Sequence, residues 1–343
     1  MDTMTTTSGG GPAERTKAAV LEDVAGLAGV SAMTVSRVLN APEKVRPETR
    51  ARVLAAVQEL GYRPNFAARS LVTGRSGVLG VVSFDTTLYG PASTLYAIER
   101  AAREHDYLVN IASLGTMTRR SIAEGVDRLR QQSVDGVIVI APHESAVEGL
   151  RDLPPDLPVV DVGGGERLAI PAVAVDHHSG AFRATRHLLD LGHETVYHLS
   201  GPVNWIDGYH RIQGWKHALR DREAPPPLVG DWSANSGYEQ GKRLSRDPSV
   251  TAVFVANDPM ALGLIRAFRE GGRRVPEDVS VVGYDDVPEA AHFWPPLTTV
   301  RQNFATLGRQ AFQLLLDRMV GLDTTERRTV EPELVVREST SRR

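Results

Sequence analysis

From Arg75 onwards the chain alternates short β-branched runs with stretches of helical spacing, and this rhythm constrains the fold more than any other feature. Candidate strands are 78–84, 107–113, 136–140, 159–162, 173–175, 196–200, 252–256 and 279–283. Helical stretches such as 93–105, 119–132, 180–191 and 259–270 fall between them. Alternation of this kind predicts parallel sheets covered by helices. Runs that are apolar throughout, such as Gly136-Val-Ile-Val-Ile140, predict strands buried on both faces. Nearly all of the last 260 or so of the 343 residues follow the pattern, which is more than one sheet needs. In doubly wound sheets ligands bind beyond the carboxyl ends of the strands. Polar loops stand there: 85–91, Asp161 with Gly163-Gly164-Gly165 behind it, Asp176-His177-His178, Asn257-Asp258 and Asp285-Asp286. Read as plain structure, these acids and histidines cap the next helix; Asp258 before Pro259 reads as such a cap.

The first seventy residues follow a different pattern. Residues 21–40 read as two short helices joined by a tight turn at Gly29, a helix-turn-helix. Leu21, Val24, Ala25 and Ala28 give the first helix one apolar face, and Val35, Val38 and Leu39 do the same for the second. Ala32, Met33, Thr34, Ser36 and Arg37 are left outward, and Ser31 is placed to cap the second helix. Small and polar side chains with one Arg suit base edges in a major groove; the plainer reading is a helical hairpin within a core. A third helix starts at Pro47, with Val53, Leu54, Val57 and Leu60 as its buried stripe and Gly61 as its stop. After Tyr62-Arg63-Pro64-Asn65 comes a segment, 65–72, too short to be a stable helix alone. From Arg15 to Arg75 ten Lys/Arg stand against five Asp/Glu, a net of +5, while the whole chain is −3 and the remainder therefore −8. A basic head on an acidic body fits nucleic-acid binding at the head alone.

Other classes are disfavoured. There is no cysteine, hence no disulfide or thiolate metal site. No apolar run approaches the roughly 18 residues of a membrane span. Residues 1–16, rich in Thr and Gly, resemble neither a signal peptide nor part of a fold and are expected to be a disordered tail. A cytoplasmic location follows as an expectation. His177-His178 lacks metal-ligand spacing, the glycine triplet lacks the Lys-Ser/Thr of a phosphate loop, and no nucleophile elbow is present. Neither an enzyme nor a cofactor is expected.

The runs VxxxAGVSxxTVSRVLN and RPETRxRVLAAxxELGYRPNxxARSL resemble the headpiece of the lactose-repressor/galactose-repressor family of transcription factors. The resemblance implies that Ala32, Met33 and Arg37 face the major groove and that Thr34, Ser36 and Asn40 help hold the backbone. It implies a hinge helix in the minor groove, with Asn65 and Ala68 at the DNA and Leu71 wedged into the central base step, as apolar wedges do in bent duplexes. Val20 and Arg46 stand where the family commonly has capping hydroxyl residues, each at a cost of about 1 kcal/mol.

The remainder resembles the family's regulatory core, itself similar to periplasmic sugar-binding proteins, through GDWSANSGY (230–238), VANDPMALG (255–263) and VSVVGYDDVPEAAHFWPPLTTVRQNF (279–304). Carried over by residue, the family's effector contacts fall on Leu88, Gly90, Pro91, Asp161, Asp207, Arg211, Trp232, Asn257, Asp285, Gln302 and Phe304. Carboxylates, an amide, an Arg and flat aromatic faces suit a sugar. Trp232 with Arg211, Asn257 and Asp285 leans towards a galactoside or related glycoside; Asp207 replaces a smaller hydroxyl residue of the family's lactose-responsive member. A purine corepressor is the alternative effector, and a solute-binding protein without a regulatory role the alternative class. The expected organisation is a helix-turn-helix head at 17–63, a hinge at 64–75, and a core at 76–338. The core divides into Rossmann-like subdomains near 76–173 with 304–331 and near 174–303 with 332–338. The sequence ends without the extra helix of the family's tetrameric members, so a homodimer on a pseudo-palindromic double-stranded operator is expected.

Overall fold

The computed structural model describes residues 19–62, 74–116, 118–140, 142–163, 170–322 and 325–343. The expected tail 1–16 and the expected hinge segment, with Asn65, Ala68 and Leu71, lie outside these residues. The chain divides into two compact units, one up to Ser76 and one from Gly77.

In the first unit, α1 (Leu21–Ala28), α2 (Ala32–Asn40) and α3 (Pro47–Glu59) pack around Val24, Ala25, Ala28, Val35, Val38, Val53 and Ala56. Gly29 turns the chain at φ 64°, a left-handed conformation that a Cβ disfavours, and Val30 N–H closes the turn on Ala25 O at 3.0 Å. Ser31 Oγ accepts from Thr34 N–H at 3.2 Å, so α2 begins where its capping residue lies. Val20 offers no side-chain cap, but the Asp23 carboxylate accepts Val20 N–H at 2.9 Å. The stripe on α3 differs from expectation. Leu54 is 49% and Leu60 36% exposed, and Ala56 fills the inner position. Residues 53, 56 and 57 share one face at 3.6 residues per turn, whereas Leu54 lies about 100° round from Val53 and Leu60 is already past the last turn.

The second unit holds two sheets. Its first half runs β1 (Val78–Phe84), α4 (Tyr89–Arg103), β2 (Leu108–Leu114), α5 (Arg119–Gln131), β3 (Gly136–Ile140), α6 (Glu144–Arg151), β4 (Val159–Val162) and β5 (Ala172–Val175). The chain then crosses over and runs α7 (His177–Asp190), β6 (Tyr197–Ser200), α8 (Ile206–Ala218), β7 (Leu228–Val229) and α9 (Ala234–Leu244). The second half continues with β8 (Ala252–Val255), α10 (Asp258–Glu270), β9 (Ser280–Asp285) and β10 (Thr298–Arg301). It crosses back for α11 (Phe304–Met319) and β11 (Arg327–Val330), and a last time for β12 (Glu333–Val335).

The strand orders are β2-β1-β3-β4-β5-β11, all parallel, and β7-β6-β8-β9-β10-β12, parallel except for β12. Both are doubly wound, with the order reversing between β1 and β3 and between β6 and β8. Alternate residues feed opposite cores: Val137 and Val139 pack with Ile122, Val126 and Leu129, while Ile138 and Ile140 pack with Ile98, Phe312 and Leu315. In the second sheet Val253 and Val255 meet Leu264 and Phe268 on one side, and Phe254 and Val282 meet Leu188 and Trp215 on the other. The four-residue β10 and the charged edge strand β11 carry no clear alternation and went unread in the sequence. Among the described residues no helix is long and apolar enough to cross a membrane.

Candidate functional site: a cleft between two sheets

The carboxyl ends of both sheets face one cavity of about 570 Å³. Ten of the eleven effector candidates line it: Leu88, Gly90, Pro91, Asp207, Arg211, Trp232, Asn257, Asp285, Gln302 and Phe304. They arrive from the loop after β1 and the first turn of α4, the start of α8, the turn before α9, the ends of β8, β9 and β10, and the first residue of α11. Asp207 and Arg211 lie one turn apart on α8 and so reach the same side. Asp161 is the exception. On β4, Val160 and Val162 join the core beneath α4 and α11, so Asp161 shares the opposite face with Val159; it is 1% exposed and does not line the cavity.

Arg211 and Asp285 are engaged by each other and by their neighbours. The Arg211 guanidinium donates to the Ala256 carbonyl, lies 3.7 Å from Asp285 Oδ1, and sits 3.8 Å over the Tyr284 ring and 5.5 Å from the Trp232 ring centre. Gln302 donates to Asp285 Oδ1 at 2.6 Å. Burial pushes the Asp285 carboxyl up to about 6, with Arg211 and Gln302 opposing the rise. Its neighbour Asp286 turns elsewhere, onto Arg301 at 2.6 Å and Arg337 at 2.7 Å.

His177, absent from the candidates, is the main addition. Its Nε2 lies 3.3 Å from Asp207 and its Nδ1 3.1 Å from the Tyr284 hydroxyl. Burial holds His177 below its ordinary value, and the neutral ring with its proton on Nε2 satisfies both contacts. Burial raises Asp207, but the charge of His177, which is protonated in the acid range where a carboxyl titrates, its hydrogen bond, and the charge of Arg211 outweigh that and hold the carboxyl below its ordinary range. Asp207 is therefore ionised and, at 23% side-chain exposure, reachable by a ligand. The helix cap expected of this stretch is Asp176, which accepts from Ser179 N–H at 2.8 Å.

Asn257, not Asp258, caps α10: its Oδ1 accepts from Met260 N–H at 3.0 Å and its Nδ2 donates to Trp232 O at 3.0 Å. Asp258 is the first residue of the helix and fully buried, accepting from Val287 N–H at 2.9 Å and Thr299 Oγ1 at 2.5 Å.

Backbone strain gathers at the same place. Trp232, Asp285 and Asp286 have φ of 73°, 110° and 53°, values that side-chain-bearing residues rarely adopt. The Trp232 ring lies against Gly201, where a Cβ would come within 2.1 Å of it, so only glycine allows this placement. Trp232 Nε1 is buried without a hydrogen-bond partner among the described residues, a donor of the kind a ligand oxygen satisfies.

On the first unit, Met33 (71% exposed) and Arg37 project from α2, Thr34 and Ser36 are half-buried, and Asn40 ends the helix. Ala32, expected outward, packs partly against the head's core.

Residues 20–65 match the bacterial regulatory proteins of the lacI family, and 185–340 match a periplasmic binding protein-like domain. The chain is 38% identical to the HTH-type transcriptional regulator CelR of Thermobifida fusca over 95% of its own length and 99% of that protein's. It belongs to the lacI family. The lactose operon repressor of Escherichia coli K12 is 34% identical over 94% of the chain and 91% of the repressor. Among solved structures, the lac repressor dimer bound to operator and the anti-inducer ONPF aligns with a TM-score of 0.85 at 33% identity, covering 95% of this chain and 100% of that one. The complex of the regulator CelR with cellobiose aligns at 0.69 and 35% identity, covering 94% and 99%. This lacI-family chain is accordingly a transcriptional regulator and not an enzyme, with the expected helix-turn-helix head and two-sheet α/β core. The sequence places His177 in a polar loop at a strand end, but a histidine there reads equally well as a helix cap and so stayed outside the effector contacts. The signal that marks it is its pairing with Asp207, thirty residues away.

Proposed function

We propose that the protein is a repressor that binds a pseudo-palindromic operator as a homodimer and loses affinity for it when a neutral glycoside enters the cleft. The head reads bases through Met33 and Arg37 on the exposed side of α2, with Ala32, Thr34, Ser36 and Asn40 supporting. The hinge, with Asn65, Ala68 and Leu71, links head to core. The observation that carries the effector class is the charge balance of the cavity. Among the described lining residues Arg211 is the one permanent cation and stands against the carboxylates of Asp207, Asp285 and Glu289, while burial holds His177 below its ordinary value. Such a site favours a polyhydroxylated neutral ligand over a phosphorylated or carboxylated one. Trp232 and Phe304 add apolar faces for the C–H sides of a pyranose. Relatives solved with cellobiose and with ONPG bind ligands of this kind. These support the expected galactoside or related glycoside, with β-glucosides among the candidates.

The test is fluorescence anisotropy of an inverted-repeat operator with the full chain, titrated with cellobiose, lactose, their monosaccharides, and purine bases. The expected result is specific binding weakened by a sugar. Tightening by any ligand overturns induction, and a response to purines alone overturns the glycoside reading.

A further inference from the structure

The edge of the cleft carries an aromatic residue outside the effector candidates. Residues 204–206, between β6 and α8, pair with 142–144, ahead of α6. Ile206 N–H donates to Pro142 O at 2.9 Å and Glu144 N–H to Asn204 O at 3.3 Å, around an isolated antiparallel bridge between His143 and Trp205. One segment belongs to each half of the core, so these bonds hold the halves together at the rim of the cavity.

Trp205, in the middle of this bridge, also lines the cavity. Its ring stands edge-on to Trp232, 5.5 Å away at 72°, and lies 6.0 Å from Phe84 at the end of β1. Two indoles at 72° cannot both stack on one pyranose, because a flat ring lying on the first meets the second at its edge. The buried polar groups gather at the Trp232 side, around Arg211, Asn257 and Asp285. Trp205 stands outside that cluster, and the cavity, at 570 Å³, has room beyond a single hexose.

We infer that Trp205 is the specificity-determining residue for a second sugar ring, which stacks on its indole while the first ring is held by the polar cluster at Trp232. The second ring stacks on Trp205 where the 142–144/204–206 bridge joins the two halves, so a disaccharide makes a contact at the rim that a monosaccharide lacks. This inference rests on the glycoside reading above.

Isothermal calorimetry on the full chain tests it, with cellobiose against glucose and lactose against galactose. Wild type is expected to prefer one disaccharide to its monosaccharide by tenfold or more. Trp205→Ala is expected to lose at least tenfold on the disaccharide and stay within twofold on the monosaccharide, with Trp205→Phe in between. Equal loss on both ligands, or loss on neither, overturns the inference. If Trp205→Ala melts far below wild type, Trp205→Phe and Trp205→Leu make the same comparison. Failure of wild type to bind any sugar removes the glycoside reading itself; equal affinity for one ring and two leaves that reading intact and removes the role of Trp205.

Discussion

Asp285 combines three properties that rarely coincide: a backbone at φ 110°, burial, and a carboxyl pushed up to about 6. The proton is held more tightly in the fold than in the unfolded chain. Its contribution to stability is therefore full below the ordinary carboxyl value and gone once pH passes about 6. Ligand affinity runs the other way, since the ionised form accepts a sugar hydroxyl and balances Arg211. Calorimetry is expected to show sugar affinity falling by up to about tenfold per pH unit below 6, flat above 7, and the slope attributable to this group missing in Asp285→Asn. At the opposite end of the chain, Arg37 projects from α2 as the one charged residue of that helix. Arg37→Ala is expected to weaken operator binding by about 1–3 kcal/mol and to relax preference at one base pair, read by anisotropy against single-base operator variants.

At the scale of elements, α10 is tied to the second sheet through Asp258, whose carboxylate holds both the loop at Val287 and Thr299 on β10. Burial raises this carboxyl well above its ordinary range, with Asp285 adding to the rise. The fold therefore loses stability from Asp258 as pH climbs through its raised value. Asp258→Asn, which keeps the shape and stays neutral, is expected to match wild type in melting temperature near pH 4 and to exceed it increasingly towards pH 8. Helix α2 depends on a local device instead. Ser31→Ala removes the acceptor for Thr34 N–H and is expected to lower head stability by about 0.5–2 kcal/mol, measured by thermal unfolding. A helix cap lies within four residues of sequence and can be read there. The burial of Asp258 depends on Gly283 and Thr299 arriving from two other strands, and cannot.

For the whole molecule, the core crosses between its sheets three times, after β5, β10 and β11, and the cleft lies where those crossings meet the strand ends. On the proposed function, ligand contacts drawn from both halves are expected to bias how the halves sit, and the expected hinge at 64–75 to carry that bias to DNA. Leu71→Ala is expected to weaken operator binding at least tenfold while leaving sugar affinity unchanged. Sedimentation velocity is expected to show a dimer, and a monomer at operator-binding concentrations would contradict recognition of a two-fold site.

Short-range pattern was enough to identify the parallel sheets, the helix-turn-helix and its caps, because strand and helix periods repeat every few residues and each signal is complete within one element. The resemblance then pointed to residues up to 216 positions apart as partners, and ten of them do meet at one cavity. What needed three dimensions was everything set by which face meets which. Asp161 turns into a core because its strand is buried on both sides, Leu54 misses the head's interior by a hundred degrees, and His177 and Trp205 join the cleft through neighbours far along the chain. Periodicity tells a residue whether it is inside or outside its own element; only the packing of the two halves against each other says what it finds there.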